Sequence, residues 1–460
     1  MPPSAQTLHD KGRQKRQAGD TSGAVKIYQQ LTKAFPQDRV GWHNLASSLG
    51  DMGSHRAAID AAQSAQKLGL DAAETWLVLA RSYQAIGELT ASGDAFDRVL
   101  ARQPNHTEAH KEFAQLIWMQ TGDAQATLSR LSSALQRMPN DLSLGVTLAT
   151  VLNQIGEKER ALSLAIEIAR RAPNDMGTQH FAATQALHCE RADLAKPLID
   201  RLLISAPDDP SSLSILAQCS LALGAFDEAS RLIDDLITHD GYNQFYISMR
   251  AVLWRLVGDE RYFELYNYTD KVGSYPLSCP PGWSDTTSYI ADLSAALRER
   301  HPFQRHPFNQ SVKGASSQIP DILDDTHPTI AAWPSAVVPA VRDYLEKQGH
   351  KAGSDDQMTK RLEAWSVKLT PSGHHTDHVH PAGLVSSACH LLFDAADSAP
   401  PGGWLRFGKP GILTPEPLEA EYHVKPKAGM INMFPSYMWH GVTPFDRGTE
   451  RITIAMDVGR

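Results

Sequence analysis

Small residues recur through the first half of this chain at intervals of 34 or 35 positions. One such position occurs in each of seven successive repeats: Gly12, Ala46, Ala80, Ala114, Ala149, Ala183 and Ala217. A second small position follows 12 residues later in each repeat: Ala24, Ala58, Ser92, Ala126, Ala161, Ala195 and Ala229. One short repeat cannot bury its own apolar face, so the repeats are expected to stack on one another.

These units are similar to the tetratricopeptide repeat, and the resemblance implies a pair of antiparallel helices in each. The two small positions let these helices approach closely, and a glycine turns the chain between them. Proline near the end of a repeat stops the second helix. These prolines are Pro36, Pro104, Pro173 and Pro207, with Pro139 one position late in the fourth repeat. The pattern therefore predicts a helical region over residues 1–241.

This pattern resembles the tetratricopeptide repeat. The resemblance implies a right-handed α-helical superhelix of seven repeats over residues 1–241. It also implies a concave inner surface that binds a peptide or protein partner. Residues 242–273 keep helical spacing and are expected to cap the last repeat and link it to the next domain. The proline-rich stretch 274–282 breaks that spacing, so we predict that a second domain occupies residues 274–460.

The second domain changes its hydrophobic pattern at Trp365. Trp365, Val367 and Leu369 alternate with polar residues, which is typical of a half-buried strand. Strand-like runs follow at 386–393, 404–407, 429–434 and 451–458, separated by proline and glycine. Short strands between turn signals predict an all-β sandwich or barrel. Two amphipathic helices, at 290–299 and 336–348, are expected before the strands.

A histidine-rich segment lies within this predicted β region. Residues 373–381 read Gly-His-His-Thr-Asp-His-Val-His-Pro. Alternate residues of a strand point the same way, so either His375 with Asp377 or His378 with His380 can supply two ligands to one metal ion. The carboxylate of the first pair would neutralise part of the charge of an iron ion. The two pairs differ in parity, so a regular strand directs only one of them inward.

Three downstream residues complete the pattern of a non-haem iron site. His440 is suited to be a third ligand from a distant strand, which leaves coordination positions open for other groups. Arg451 and Thr453 follow on one face of a predicted strand. An arginine binds a carboxylate through two N–H groups, and a hydroxyl adds a hydrogen bond. Arg451 and Thr453, in preference to Lys368, are therefore expected to bind the far carboxylate of 2-oxoglutarate.

These segments resemble the 2-oxoglutarate/Fe(II) oxygenases that are fused to tetratricopeptide repeats in bacteria. The matching stretches are 365–369, 375–381, 386–387, 403–405, 434–441 and 451–458. The resemblance implies a double-stranded β-helix (jelly roll) with Fe(II) as cofactor and 2-oxoglutarate as co-substrate. It also implies hydroxylation of a peptide, protein or small molecule that the repeats present.

The family's motif, His-x-x-His-x-His-Pro, implies that His378, His380 and His440 are the ligands. His375 and Asp377 then form the alternative first pair. Leu384 and His390 depart from the aromatic residue and the tyrosine that are usual in the family, which puts the shape of the substrate pocket in question.

Composition limits the expected partners and the cellular location. A formal net charge of -8 gives no reason to expect a nucleic acid or an anionic membrane as partner. The four cysteines are far apart, which disfavours a disulfide framework and a zinc-thiolate site. With no signal-like or membrane-spanning apolar run in the sequence, a cytoplasmic protein is expected.

Two other functions remain open at this point. One is a repeat scaffold or adaptor with an inactive or sensory barrel. The other is a cupin-like metalloenzyme that has three histidine ligands and does not use 2-oxoglutarate. Arg451 distinguishes this second possibility, because only a keto-acid enzyme needs a carboxylate-binding arginine there.

Overall fold

The computed structural model describes residues 3–393, 400–448 and 450–459. The chain divides into two compact units. The first consists of Met1–Trp118 and Asp123–Val151, and the second of Met119–Gly122 and Leu152–Arg460. The second unit holds the last repeat helices and all of the strands. It therefore contains every residue of the predicted site.

Fourteen consecutive helices form the repeat region of the described chain. The first eight are α1 (Ala5–Gln17), α2 (Thr21–Ala34), α3 (Arg39–Asp51), α4 (His55–Lys67), α5 (Ala73–Ala85), α6 (Leu89–Arg102), α7 (Thr107–Thr121) and α8 (Ala124–Arg137). The next six are α9 (Leu142–Gln154), α10 (Lys158–Arg171), α11 (Met176–His188), α12 (Ala192–Ser205), α13 (Pro210–Ala222) and α14 (Phe226–His239).

Aspartates and prolines set the ends of these helices. Asp38, Asp175 and Asp209 are N-caps, and each carboxylate accepts a hydrogen bond from the backbone N–H three residues later. Such a bond satisfies one of the donors that the first turn leaves unpaired. Each cap follows closely after one of the predicted stop prolines. One short segment therefore ends one helix and starts the next.

The small positions are buried where the helices pack. Ala46, Ala80, Ala183 and Ala217 are fully buried. At Gly12, a Cβ atom would approach the ring of Tyr28 to 2.5 Å. Close approach of helices thus accounts for the spacing of small residues in the sequence.

Further helices follow the repeats. They are α15 (Gln244–Val257), α16 (Arg261–Leu265), α17 (Tyr268–Lys271), α18 (Thr286–Arg300), α19 (Pro328–Ala331), α20 (Trp333–Lys347) and α21 (Asp355–Thr359). The predicted helices at 290–299 and 336–348 correspond to α18 and α20, which both begin earlier than expected. Asp285 caps α18 by accepting from the Ser288 N–H, and a proline in the first turn starts α20. No helix in the described part of the chain is long and apolar enough to cross a membrane.

Eleven strands, counted over the described residues, form two antiparallel sheets. They are β1 (Gly273–Pro276), β2 (Val312–Lys313), β3 (Ser316–Ile319), β4 (Leu362–Leu369), β5 (His374–His378), β6 (Val385–Phe393), β7 (Leu405–Phe407), β8 (Tyr422–Val424), β9 (Met430–Pro435), β10 (His440–Val442) and β11 (Arg451–Val458). One sheet has the order β1-β9-β6-β11-β4-β3 and the other the order β2-β5-β10-β7-β8. Helical repeats followed by an antiparallel β domain confirm the predicted fold class.

Strand alternation on β11 separates the core from the cavity. Ile452, Ile454, Met456 and Val458 are fully buried in a core cluster that also contains apolar residues of α18 and α20. The residues between them, from Arg451 onward, line a cavity on the opposite face. Successive side chains of a strand point to opposite faces, so one strand serves both the core and the site.

Candidate functional site

A cavity of about 490 Å³ is lined by residues of both sheets. Arg451, Thr453 and Asp457 of β11 contribute to the wall, as do Trp365 and Val367 of β4. The histidine-rich segment and β10 also contribute. The structure thus brings the downstream arginine and the histidines to one cavity, although they are distant in sequence.

Three histidines converge on this wall. His378 ends β5, His380 lies just beyond that strand, and His440 begins β10 in register with His378. One ring nitrogen from each of the three lies within 4.8 Å of the others. Among the described residues, this is the group of histidine, cysteine and carboxylate side chains that is close enough to hold a metal ion.

Hydrogen bonds fix the tautomer of all three imidazoles. In each ring Nδ1 faces a carbonyl or carboxylate oxygen, and such an oxygen accepts hydrogen bonds but does not donate them. Nδ1 therefore carries the proton, and Nε2 keeps a lone pair. For His378, His380 and His440 respectively, the acceptors are the Thr376 carbonyl at 2.8 Å, an Asp457 carboxylate oxygen at 2.5 Å and the Met438 carbonyl at 2.9 Å. An imidazole held in this way presents Nε2 as a metal ligand.

The surroundings keep two of these rings neutral. Burial, reinforced by the neighbouring imidazoles, lowers the pKa of His378 to about 3. The same causes hold the pKa of His440 well below its ordinary value. The neutral ring is the form in which histidine binds metals. The cavity thus favours the ligand form over the protonated form.

Backbone contacts hold the histidine-bearing segments in place. The His380 N–H donates to the Ser436 carbonyl at 3.1 Å. The Tyr266 hydroxyl, just after α16, donates to the Tyr437 carbonyl at 2.9 Å and accepts from the Trp439 N–H at 3.1 Å. The helical segment after the repeats therefore supports the turn that leads into β10.

A β-bulge explains why more than one histidine of β5 reaches the cavity. Along β10, His440 pairs with His378 and Val442 pairs with His375. A step of two residues along β10 therefore corresponds to a step of three residues along β5. This mismatch is the pattern of a β-bulge. His375 and His378 both line the cavity, and their ring centroids are 6.1 Å apart. The assumption of a regular strand, on which the parity argument depended, is wrong for this segment.

Asp377 faces away from the histidine cluster. Its carboxylate oxygens accept hydrogen bonds from Arg406 at 2.8 and 2.7 Å, and it is not part of the lining of this cavity. Burial raises the pKa of Asp377, and the Arg406 guanidinium opposes that rise. At Gly441 a Cβ would lie only 2.7 Å from the Asp377 carboxylate. The structure therefore does not bring His375 and Asp377 together as a ligand pair.

Arg451 is a buried cation on the wall of the cavity. It is 1% exposed, and burial lowers the pKa of Arg451 to about 10, which still leaves it charged near neutrality. Its Nη2 donates to Nδ1 of His390 at 3.3 Å, and Nε2 of His390 donates to Asn432 Oδ1 at 2.8 Å. Burial and the Arg451 charge lower the pKa of His390 to about 3. His390, the departure from the family tyrosine, thus accepts from Arg451 as a neutral ring.

Two polar atoms on this wall find no hydrogen-bond partner among the residues that the structure describes. They are Nε of Arg451 and Oγ1 of Thr453, both buried. Unpaired buried donors are costly, which favours a bound group that can accept from them. Lys368 instead donates to the His301 carbonyl at 3.3 Å and does not line this cavity. Together with the three imidazoles, whose Nε2 atoms are available as ligands, this donor set fits a divalent iron ion and a dicarboxylate such as 2-oxoglutarate.

Two carboxylate contacts of the site were not anticipated from the sequence. Asp457 binds His380, and Arg406 binds Asp377. The sequence could have indicated Asp457, because Asp457 and Arg451 are an even number of residues apart on a predicted strand. Their side chains therefore point to the same face of that strand. Arg406 carried no such signal, since its contact depends on how β7 and β5 flank β10.

An antiparallel β domain with three histidines and an arginine on one cavity defines a candidate metal-dependent oxygenase domain. Residues 363–457 match the family model described as "Putative 2OG-Fe(II) oxygenase". Residues 43–107 and 7–38 match two models described as "Tetratricopeptide repeat". The chain therefore carries tetratricopeptide repeats followed by a domain of that oxygenase family, as the resemblance in the sequence predicted.

Two solved structures that are similar to part of this chain are described as tetratricopeptide repeat proteins. One from Parabacteroides merdae is 14% identical, with 54% of this chain and 98% of that chain covered and a TM-score of 0.38. Another, TTC0263 from Thermus thermophilus, is 18% identical, with 40% of this chain and 100% of that chain covered and a TM-score of 0.32. No curated protein matches this chain.

Proposed function

We propose that this protein is an Fe(II)- and 2-oxoglutarate-dependent oxygenase that hydroxylates a peptide, protein or small molecule presented by its repeat region. The observation that carries the proposal is the placement of three imidazoles and one buried arginine on the wall of the same cavity. When bound, iron and the keto acid supply oxidation by dioxygen. One oxygen atom enters a substrate C–H bond as hydroxyl, and the other enters succinate as the keto acid loses carbon dioxide.

In this proposal His378, His380 and His440 hold the iron through Nε2. Three histidines leave coordination positions open, as an oxygenase requires. The alternative pair, His375 and Asp377, has less support because Arg406 already binds the Asp377 carboxylate through both oxygens. His375 instead has its Nδ1 3.1 Å from the Ser311 hydroxyl, beside the proposed ligands.

Arg451 and Thr453 bind the far carboxylate of 2-oxoglutarate in this scheme. The Arg451 guanidinium supplies charge and donors, and the Thr453 hydroxyl supplies a further donor. His390 orients the guanidinium by accepting from Nη2. Apolar residues of the lining, such as Val367 and Phe434, limit the access of water and so strengthen these polar contacts.

Asp457 acts in this scheme by holding His380 and by adding negative charge next to a ligand set that has no carboxylate of its own. Asp457→Asn should weaken metal binding by about 10- to 100-fold, because the ring loses an anionic acceptor that raises its basicity. Titration with Co(II), followed by visible absorbance, measures this affinity. Glu450→Gln is the matched control, since Glu450 pairs with Arg298 instead. Equal affinities in Asp457→Asn and the control would contradict the assigned role.

The repeat region is proposed to bring the substrate to the barrel, and the protein is proposed to act in the cytoplasm. Tetratricopeptide repeats stack into extended surfaces that suit a peptide or protein partner.

A second candidate function has one observation in its favour. The absence of a carboxylate from the group of three histidines also fits a cupin-like enzyme that does not use a keto acid.

Anaerobic loading of the full-length protein tests the proposed function. Addition of Fe(II) and 2-oxoglutarate should give a visible charge-transfer band that neither produces alone. Exposure to air should then bleach the band and release succinate. Iron binding without a response to the keto acid would favour the cupin-like function. Failure to bind iron would favour the function of a repeat scaffold or adaptor with an inactive barrel.

A further inference from the structure

Four polar side chains lie in a line across the six-stranded sheet, behind the wall of the active-site cavity. They belong to Arg451 of β11, His390 of β6, Asn432 of β9 and Ser274 of β1, and these four strands are successive neighbours in the sheet. Arg451 lines the cavity, whereas the other three side chains do not. The line therefore runs from the cavity wall to the edge strand of the sheet.

An irregularity in β6 brings His390 onto the face that carries Arg451. Ile452 of β11 pairs with Leu392, but the next residue, Thr453, pairs with His390. A step of one residue along β11 thus corresponds to a step of two residues along β6, which is the pattern of a β-bulge. Directly paired residues share a face of the sheet, so His390 lies on the same side as Thr453. Regular pairing would have turned His390 to the opposite face.

Arg451 decides the direction of every hydrogen bond in this line. A guanidinium only donates, so His390 Nδ1, which is 3.3 Å from Arg451 Nη2, accepts and carries no proton. The neutral ring then has its proton on Nε2, which donates to Asn432 Oδ1 at 2.8 Å. The amide nitrogen of Asn432 is left to donate to the Ser274 hydroxyl. One tautomer of His390 and one orientation of the Asn432 amide satisfy all three contacts.

Burial makes this arrangement costly to change. Arg451, His390 and Asn432 are 1%, 0% and 2% exposed, so water does not replace a lost partner. Asn432 supplies the acceptor without which the Nε2–H of His390 would be a buried, unpaired donor. The other tautomer would instead set an N–H of His390 against an N–H of Arg451. Asn432 therefore stabilises the tautomer that Arg451 requires.

The direction of the Arg451 guanidinium matters for the carboxylate that it is proposed to bind. The group has five N–H donors in one plane, so a fixed contact at Nη2 also fixes the direction of the others. One of these, the Nε–H, is buried and finds no partner among the described residues. The contact with His390 thus leaves a defined set of donors for a ligand.

We propose that Asn432 is a positioning residue for 2-oxoglutarate. It holds His390 with an unprotonated Nδ1, and this nitrogen holds the Arg451 guanidinium in the direction in which it binds the far carboxylate. The inference rests on the proposed oxygenase function and extends the keto-acid site to a residue outside the cavity.

Two substitutions of His390 separate the roles of its ring nitrogens. The amide of asparagine reaches about as far from the backbone as Nδ1 does, and the amide of glutamine about as far as Nε2. His390→Asn therefore keeps an acceptor for Arg451, whereas His390→Gln keeps only the contact with Asn432. Measured by the charge-transfer band of the Fe(II) protein, the dissociation constant of 2-oxoglutarate should stay within about threefold of the natural value in His390→Asn and rise about tenfold in His390→Gln.

Asn432→Leu tests the positioning residue itself. Leucine is similar in size but accepts no hydrogen bond, so the dissociation constant of 2-oxoglutarate should rise about tenfold while the affinity for Co(II) stays unchanged. His301→Gln is the matched control. His301 is also buried, its ring nitrogens lie 3.0 and 2.9 Å from the hydroxyls of Ser317 and Ser366, and it does not line the cavity. This control should lower the melting temperature but keep the natural affinity for 2-oxoglutarate.

Nitrogen NMR of the protein with isotope-labelled histidine rings reads the tautomer without iron or keto acid. The signals of His390 are those that His390→Gln removes. They should show a proton on Nε2 and none on Nδ1. A protonated Nδ1 in the natural protein would overturn the proposal.

The binding experiments separate this inference from the proposed function. Equal affinities for 2-oxoglutarate in His390→Asn and His390→Gln, or a natural affinity in Asn432→Leu, would overturn the positioning role alone in a protein that shows the charge-transfer band. A parallel loss of Co(II) affinity in Asn432→Leu would also overturn it, in favour of a general structural role. Absence of the band from the natural protein would instead count against the oxygenase function.

Discussion

Replacement of His440 by alanine is expected to abolish tight iron binding and, with it, succinate formation. His440 is 7% exposed, and its ring centroid lies 4.3 Å from that of His378. Loss of a ligand should exceed the roughly 100-fold weakening caused by changing a hydrogen-bond partner of a ligand. Equilibrium dialysis with Fe(II) under anaerobic conditions measures the loss, and circular dichroism checks that the barrel is still folded.

Asp377→Asn is the matched comparison for this experiment. Asp377 belongs to the alternative ligand pair but is bound to Arg406, so the variant should keep its iron. It should instead lower the free energy of unfolding by about 3 kcal/mol, because it breaks a largely buried ion pair. Chemical denaturation measures that change. If Asp377→Asn lost iron while His440→Ala and a companion His378→Ala retained it, the assignment of the three histidines would be wrong.

Arg451→Gln is expected to remove 2-oxoglutarate binding while leaving metal binding intact. A hydrogen bond to a charged group contributes about 1.5–3 kcal/mol, so loss of a two-point contact should raise the dissociation constant of 2-oxoglutarate by about 100-fold or more. The iron charge-transfer band reports keto-acid binding directly. Co(II) absorbance reports the metal separately, since Arg451 is not part of the histidine cluster.

Thr453→Val provides a graded control for the arginine variant. Valine is similar in size to threonine but lacks the hydroxyl, so the variant loses one neutral hydrogen bond that contributes about 1 kcal/mol. It should weaken 2-oxoglutarate binding by about fivefold. Unchanged activity in Arg451→Gln would contradict the keto-acid role and would favour the cupin-like enzyme. A smaller effect in Arg451→Gln than in Thr453→Val would show that the carboxylate binds elsewhere.

The repeat region could be predicted closely because its order is local. Each small residue, capping aspartate and stop proline acts within its own helix pair, as Ala46 and Asp38 illustrate. Periodicity in the sequence therefore carries over directly into periodicity in the structure. The positions of Arg451 and Thr453 followed from the same kind of local rule, the alternation of side chains along β11.

The inward-facing residues of the histidine segment could not be predicted from local sequence rules. The bulge in β5 depends on its pairing with β10, a strand far along the chain, and an extra residue there changes the face of every residue beyond it. Parity along the segment could not reveal this. Asp377 looked like a ligand in the sequence, but Arg406 from β7 binds it in the fold.

The sequence by itself determined the repeats, the β domain and the identities of the residues able to bind a metal and a carboxylate. Tertiary structure alone decided which of them meet. Strand pairing placed His378 beside His440, and the folding of the β domain set Asp457 against His380. The physical reason is that hydrophobic periodicity specifies which face of an element is buried, whereas register between distant strands specifies which side chains touch.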